Sequence, residues 1–382
     1  LQRCERLNLI SDFDRGLVVL SKLKVAVVGL GKMGLSHFAM VNAHPDVDAV
    51  ACDGAGFLVD ILSKNISTPI FKDYEEMLTE SAIDAVIIST PSRLHAPMVE
   101  AALNRGVHVF CEKPFCLDWA DSERLTALAA AKGLVAQVGY HYRYVGAFAE
   151  LKRLVEAGAI GRITHVLAEA YGPVVLRPKR ATWRTNKSEG GGCLYDYAAH
   201  PLNLLNWFFG APDQVIGSHL GQVFSDGTDD EVFSTLRWND GPTAQLSVNW
   251  SDESHRKMST KISLLGTNGR LYADRQECQA FLRKPVEGLE DYAPGWTVKY
   301  TTELTEDRWF YLRGEEYSAQ LDDFISAVRD GKTVAVENGF ASATETDKTM
   351  RMIIDNAESG QPLGEARAAV PQAAKKRSWF GR

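Results

Sequence analysis

Residues 28–37 read VGLGKMGLSH, which sets Gly29, Gly31 and Gly34 in the spacing G-x-G-x-x-G. Glycines fall into that spacing often by chance. The pattern constrains a fold only when a strand leads in, a helix leads out and an acidic residue follows about twenty positions on. All three conditions are met. KVAVVGL (24–30) is short, apolar and β-branched, the texture of a strand buried on both faces. Beyond Gly31 the apolar residues take helical spacing through Met33, Phe38 and Val41, and Pro45 follows the end. VDAVACD (47–53) makes a second strand that ends on Asp53, nineteen positions past Gly34.

Within such a βαβ unit each residue has a task. Gly29 permits the tight turn, Gly31 lets main chain approach a pyrophosphate, and Gly34 lets helix pack on strand; Lys32 and Met33, between the last two glycines, are expected to bind the cofactor with them. The helix start offers unpaired N–H groups and partial positive charge to the phosphates. Asp53 can accept hydrogen bonds from ribose hydroxyls, and its charge opposes a 2′-phosphate, so NAD is expected in preference to NADP. A strand-end aspartate alone would as readily cap its own loop; the surrounding unit favours the cofactor.

Further strands follow at DAVIIST (84–90), GVHVFCE (106–112) and GLVAQVGY (133–140), with a helix at PMVEAALNRG (97–106). Strands alternating with helices call for a doubly wound parallel sheet. After about residue 144 the texture changes. A helix is expected in AFAELKRLVEAGAIG (147–161). RITHVLAEAYG, QVIGSHLGQVFSD, EVFSTLRWNDG, TAQLSVNWSD and KISLLGTNGRLYAD then alternate with period two, and N-D-G and T-N-G mark turns. Helices are expected again at 317–332 and 342–360. The reading is α/β: an extension at 1–21, a Rossmann domain at 22–143, an α+β domain with a large open, mainly antiparallel sheet at 144–365, and a loose basic tail at 366–382.

Composition narrows the function classes. A formal charge of −7 argues against a nucleic-acid partner, which needs a basic surface. No apolar run has the length of a membrane span. Residues 1–20 carry acids among their apolar residues and do not read as a secretory signal. The six cysteines, Cys4, Cys52, Cys111, Cys116, Cys193 and Cys278, include no C-x-x-C pair. Reduced thiols in a cytoplasmic protein without a metal site are expected.

Three other stretches carry chemistry. In FCEKPF (110–115), Glu112, Lys113 and Pro114 leave a buried strand at the end that lines the ligand crevice of an open sheet, which would set the lysine beside a nicotinamide. STPSRLHAPM (89–98), with Thr90 and Pro91, is a polar loop that would run over the cofactor; His95 either contacts it or helps to begin the next helix. In SEGGGCLYDYAAHPLNLLNWFFG (188–210), Asp196 and His200 stand at i and i+4, on one face of an expected helix, with Pro201 expected to kink it just past the histidine.

GLGKMG, STPSRLHAPMVEAALNRGVHVFCEKP and GGGCLYDYAAHPLNLLNWFFG, in that order and spacing, resemble the Gfo/Idh/MocA oxidoreductase family over nearly the whole chain. The resemblance implies a Rossmann domain, a second domain with a large open sheet, and homodimers or homotetramers that pack through that sheet. It implies catalytic roles for Lys113 and His200, with Asp196 as partner of the histidine, and a cis bond between Lys113 and Pro114. It places Arg143, Trp183, Arg184 and Asn203 toward substrate; Asn203 stands where the family often has aspartate.

These residues suit hydride removal from a secondary alcohol, because the hydroxyl must lose its proton as the carbon loses hydride. A carboxylate-held histidine can take that proton, and an ammonium can stabilise the developing alkoxide. Lys113 and His200 could exchange these roles. The expected function is an NAD-dependent dehydrogenase of a sugar, cyclitol or nucleotide-linked sugar. The alternatives are an enzyme that retains its NAD through an internal oxidation and re-reduction, and a non-catalytic NAD-binding regulator. Arg177, Lys179, Arg180 and Arg184 could meet an anionic substrate, though such a run also suits a solvated loop.

Overall fold

The computed structural model describes residues 22–176, 183–312, 314–332 and 338–360. The extension 1–21, the tail 366–382 and Arg177, Lys179 and Arg180 lie outside the described residues. The chain divides into two compact units: Leu1–Gly146 with Thr305–Ala343, and Ala147–Leu304 with Thr344–Arg382.

The first unit alternates strand and helix: β1 (Leu23–Val28), α1 (Lys32–Asn42), β2 (Val47–Cys52), α2 (Gly56–Asn65), β3 (Ile70–Phe71), α3 (Tyr74–Glu80), β4 (Ala85–Ile88), α4 (His95–Asn104), β5 (His108–Cys111), α5 (Trp119–Lys132) and β6 (Ala136–Val138). The sheet order is β3-β2-β1-β4-β5-β6, all parallel. The order reverses between β1 and β4, so their carboxyl ends open the crevice where a doubly wound sheet binds ligand. Central β1 is apolar on both faces, with Val25, Ala26 and Val27 fully buried.

The segment 305–343, expected with the substrate domain, belongs to this first unit. Its helix Glu315–Asp330 sets Leu321, Phe324 and Ile325 into the same core as Val25, Val27 and Phe110. Burying each such side chain contributes about 1.5–3 kcal/mol. Sequence distance hides that packing, because the amphipathic stripe says only that a helix is covered, not by what.

The second unit holds α6 (Gly146–Glu156), β7 (Ile163–Tyr171), α7 (Ala199–Phe209), β8 (Gln214–Gly221), β9 (Glu231–Arg237), β10 (Thr243–Asn249), β11 (Ser259–Gly266), β12 (Gly269–Ala273), β13 (Glu277–Leu282) and β14 (Gly295–Tyr300). Its eight strands run β14-β13-β12-β11-β7-β10-β9-β8, antiparallel except for β7 beside β10. The expected N-D-G and T-N-G turns join β9 to β10 and β11 to β12. Val232, Leu236, Ala244, Val248, Ile262 and Leu264 face a covered core, and α7 packs on β7 and β11. The opposite face carries Phe233, Leu265, Trp296 and Val298, all substantially exposed. Strands β13 and β14 were not among the expected segments. The inward residues of β13 are Cys278, Ala280 and Leu282, none of them β-branched or aromatic, and alanine is a weak strand former.

Among the described residues, no helix is long and apolar enough to cross a membrane.

Candidate active site

The nucleotide side of the site lies in the first unit. Gly29 adopts φ 85, and a Cβ there would stand 2.9 Å from Ser89 main chain and from Thr90 Cγ2. The turn therefore packs directly on the end of β4. At Gly34 a Cβ would stand 1.7 Å from the Gly29 carbonyl oxygen, so α1 meets the turn with no room for a side chain. Gly31 differs, because a Cβ there would meet nothing within 4 Å. It faces open space at the start of α1, where no side chain caps the helix and its first turn holds no acid. First-turn N–H groups, including those of Lys32, Met33 and Gly34, have no carbonyl four residues back within the helix. Open space before unspent donors fits a pyrophosphate.

Asp53 follows β2. Its Oδ2 accepts from Leu30 N–H at 2.5 Å and its Oδ1 from Ala55 N–H at 2.6 Å. Main-chain donors thus fix the carboxylate, and each oxygen keeps a lone pair for a ribose hydroxyl. The residues present fit a dinucleotide.

Beyond β5, Lys113 N–H donates to Glu112 Oε2 at 3.1 Å, and the Lys113–Pro114 bond is cis, as the resemblance implied. Glu112 Oε1 accepts from His37 Nε2 of α1 at 2.7 Å. Burial pushes the Glu112 carboxyl up, but the His37 hydrogen bond, with the charges of His37 and Lys113, brings it below its ordinary range. His95 opens α4 and is buried. Its Nδ1 lies 2.9 Å from the Pro114 carbonyl and 3.2 Å from that of Phe115, and its Nε2 lies 3.0 Å from the Thr90 carbonyl. Both ring nitrogens are thus turned to main chain. Arg143, expected toward substrate, is buried, and its Nη2 donates to Ser342 Oγ.

The second unit holds Asp196 and His200, both buried. The helix expected there is not uniform. Residues Leu194–Ala198 form a π-helical turn in which Ala199 N–H bonds to Leu194 O, and α7 follows. The change of winding precedes His200 instead of following it. A proline ring clashes with the carbonyl four residues back, which for Pro201 is Tyr197, inside the widened turn. Asp229 fixes the start: its Oδ2 accepts from Leu194 N–H at 2.6 Å and its carbonyl from Cys193 N–H at 2.8 Å. Burial pushes the Asp229 carboxyl up even though Leu194 N–H bonds to it.

Asp196 meets Arg184: Nε donates to Oδ2 at 2.7 Å, and the guanidinium lies over the Trp183 ring at 4.6 Å. Arg184, expected toward substrate, thus reaches the expected catalytic carboxylate. Asn203, buried on α7, donates from Nδ2 to Thr346 Oγ1 at 3.1 Å, and Asn206 repeats this with Thr349 at 3.2 Å. That ladder ties α7 to the helix Phe340–Glu358.

Sequence reasoning missed His37 and Asp229. A signal for His37 existed: with Gly34 and Val41 it lies on the helix stripe that faces the sheet. Asp229 gave none, because it lies 35 residues from the N–H that it caps.

A doubly wound parallel sheet with an open glycine turn and a carboxylate fixed at Asp53 by main-chain donors defines the class of nucleotide-binding Rossmann proteins. Residues 23–140 match a family model described as "Oxidoreductase family, NAD-binding Rossmann fold", and residues 148–272 match the GFO/IDH/MocA C-terminal domain. The chain belongs to the Gfo/Idh/MocA family of oxidoreductases, and its first unit is an NAD-binding Rossmann domain.

Among curated relatives, 2,7-anhydro-N-acetylneuraminate hydratase of Mediterraneibacter gnavus is 25% identical over 316 residues, 80% of this chain and 79% of that one. scyllo-Inositol 2-dehydrogenase (NAD(+)) of Bacillus subtilis is 24% identical over 341 residues, 87% of this chain and 91% of that one. The fold is shared with levoglucosan dehydrogenase in complex with NADH and levoglucosan, at TM-score 0.78, 23% identity, and 89% and 98% coverage of the two chains. It is also shared with the WlbA dehydrogenase of Bordetella pertussis in complex with NADH and UDP-GlcNAcA, at TM-score 0.77, 20% identity, and 89% and 97% coverage.

Proposed function

We propose that the protein is an NAD-dependent dehydrogenase that moves a hydride between a secondary alcohol of a sugar, cyclitol or nucleotide-linked sugar and the nicotinamide. The observation that carries this reading is the fixed Asp53 carboxylate, held by two main-chain donors in the same unit as the open Gly31 turn and Lys113. Its charge favours NAD over NADP. Relatives that act on an inositol and on levoglucosan support the substrate class.

Bound NAD supplies the hydride acceptor. Hydride loss from the alcohol carbon would require its hydroxyl to lose a proton. Lys113 of the first unit and His200 of the second are each proposed for that chemistry, a histidine being suited to take the proton and an ammonium to steady an alkoxide. Asp196 supports the histidine's helix turn, with its own orientation set by Arg184. Trp183, Arg184, Arg143 and Asn203 are proposed on the substrate side, Thr90, Pro91 and Glu112 on the cofactor side. A second copy of the chain is proposed on the open sheet face, where Phe233, Leu265, Trp296, Val298 and Tyr300 are exposed.

The hydratase relative favours a second reading, in which NAD stays bound, is reduced as the substrate is oxidised and is re-oxidised as the substrate is re-reduced within each turnover, since a hydration has no net redox change. One experiment separates the two. Nucleotide released on denaturation is identified, and NADH formation is followed over a panel of sugars, cyclitols and nucleotide sugars, with Lys113→Ala as control. NADH formed on one substrate and lost in the variant supports the dehydrogenase. Retained NAD with substrate consumed and no net NADH supports the second reading, and no nucleotide affinity at all sinks both.

A further inference from the structure

We infer that His37 and His95 form a two-sided clamp that positions Lys113, one holding the residue before it and the other the two residues after it. The inference rests on Lys113 being catalytic.

Both histidines are buried, at 0% and 1% exposure, on helices whose inward positions otherwise hold apolar side chains. Burying an imidazole is unfavourable unless its polar atoms are bonded, and a leucine would fill either place without that penalty. What the two rings hold explains them. His37 Nε2 donates to Glu112 Oε1 at 2.7 Å, and the other carboxylate oxygen accepts from Lys113 N–H at 3.1 Å. Glu112 therefore links α1 to the main chain of Lys113. The carboxylate is boxed in from the far side as well, because a Cβ at Gly139 would stand 3.1 Å from its carbon and both oxygens. Beneath it the His37 ring packs edge-on against Phe110, with centroids 5.6 Å apart.

His95 holds the other flank. A neutral imidazole has one N–H to give, and the Nδ1 side offers two converging carbonyls, Pro114 at 2.9 Å and Phe115 at 3.2 Å, against the single Thr90 carbonyl at Nε2. The donor that matters to the turn is thus at Nδ1. Glu112 and the Pro114–Phe115 carbonyls bracket Lys113 on both sides, through helices that start at the glycine turn and at the Thr90 loop. The lysine's main chain is tied to the two loops that border the cofactor crevice. Catalytic groups need placement within about 0.5 Å, and a misplacement of about 1 Å can lower turnover about 100-fold.

The test moves the donor without removing it. A glutamine amide reaches the Nε2 position of histidine and an asparagine amide the Nδ1 position. His37→Gln and His95→Asn should therefore keep the clamp, whereas His37→Asn and His95→Gln should break it. Two readouts are taken on the full chain: hydrogen exchange of the Lys113 amide in peptides spanning 108–118, and kcat and KM on the substrate that the panel identifies. The clamp predicts that the broken pair exchange at least about tenfold faster at Lys113. Their kcat should be about 10–100-fold lower, with KM for NAD within about threefold of the parent, while the kept pair stay near the parent in both readouts. Equal exchange across all four variants overturns the clamp. If exchange splits as expected but the parent turns over nothing with NAD, the clamp stands and the dehydrogenase reading falls; if turnover exists and all four variants match the parent, the reverse holds.

Discussion

Arg184 Nε stands 2.7 Å from Asp196 Oδ2, so a carboxylate expected to serve a histidine is also half of an ion pair. The Asp196 side chain is 5% exposed and that of Arg184 33%, which makes the arginine the solvent-facing partner. The arginine's flat fork, stacked on Trp183, is suited to hold one geometry. Arg184→Ala removes a charged hydrogen bond from a buried carboxylate and should lower stability by about 1.5–3 kcal/mol, the usual worth of a hydrogen bond to an ionised group. Arg184→Lys should keep most of the stability yet lose activity, because an ammonium on a flexible stem does not reproduce the fork. Thermal unfolding set beside kcat checks this; full activity in the lysine variant would show that orientation of Asp196 is immaterial.

Gly31 and Gly34 should respond oppositely to a single methyl group. At Gly34 it would stand 1.7 Å from the Gly29 carbonyl oxygen, so Gly34→Ala must displace α1 or the turn and should fold poorly. At Gly31 nothing lies within 4 Å, so Gly31→Ala should match the parent's melting temperature and bind NAD about tenfold or more weakly. Calorimetry for stability and fluorescence titration for NADH measure the two effects separately. Unchanged NADH affinity in Gly31→Ala would move the pyrophosphate away from this turn.

Asp53 is held by Leu30 and Ala55 N–H, so its charge sits at a fixed point of the crevice. Asp53→Ala removes acceptors for the ribose hydroxyls and the repulsion toward a 2′-phosphate together. The expected outcome is a fall of about tenfold to 100-fold in kcat/KM with NAD, and a rise with NADP. Parallel assays with both nucleotides decide; an unchanged ratio would remove Asp53 from cofactor choice.

Much of this was legible in the chain because the relevant relations are local. The strand, glycine turn, helix and acid of residues 24–53 signal one another over short distances, and the period-two segments with their turns announced most of the open sheet. What escaped depends on long-range packing. The helix Glu315–Asp330 joins a core that begins at Leu23, and Asp229 caps a turn 35 residues earlier; no periodicity records either relation. The π turn before His200 escaped for a different reason. Pro201 announced a disturbance, but the clash acts on the carbonyl four residues back, so the irregularity lies upstream of the proline.

Glu150 gives the second unit a dependence on acid pH. It is 8% exposed and accepts from Tyr292 Oη at 2.7 Å, from Arg153 at 2.8 Å and from Lys299 at 3.2 Å. Burial alone would raise its pKa, but the hydrogen bonds from Arg153, Tyr292 and Lys299 outweigh it and carry the value from 4.5 down to about 2. Because the folded value is the lower one, this group's stabilisation is complete above about pH 4.5 and is lost as pH falls toward 2. The difference corresponds to about 3 kcal/mol at neutral pH. Glu150→Gln should accordingly melt well below the parent at pH 7, and the gap should narrow steadily between pH 4.5 and 2 as the parent's own carboxylate takes up its proton. Melting curves of both proteins across that range measure it. A gap that stays constant with pH would mean that Glu150 acts through shape and hydrogen-bond count, and its charge would then carry none of the effect.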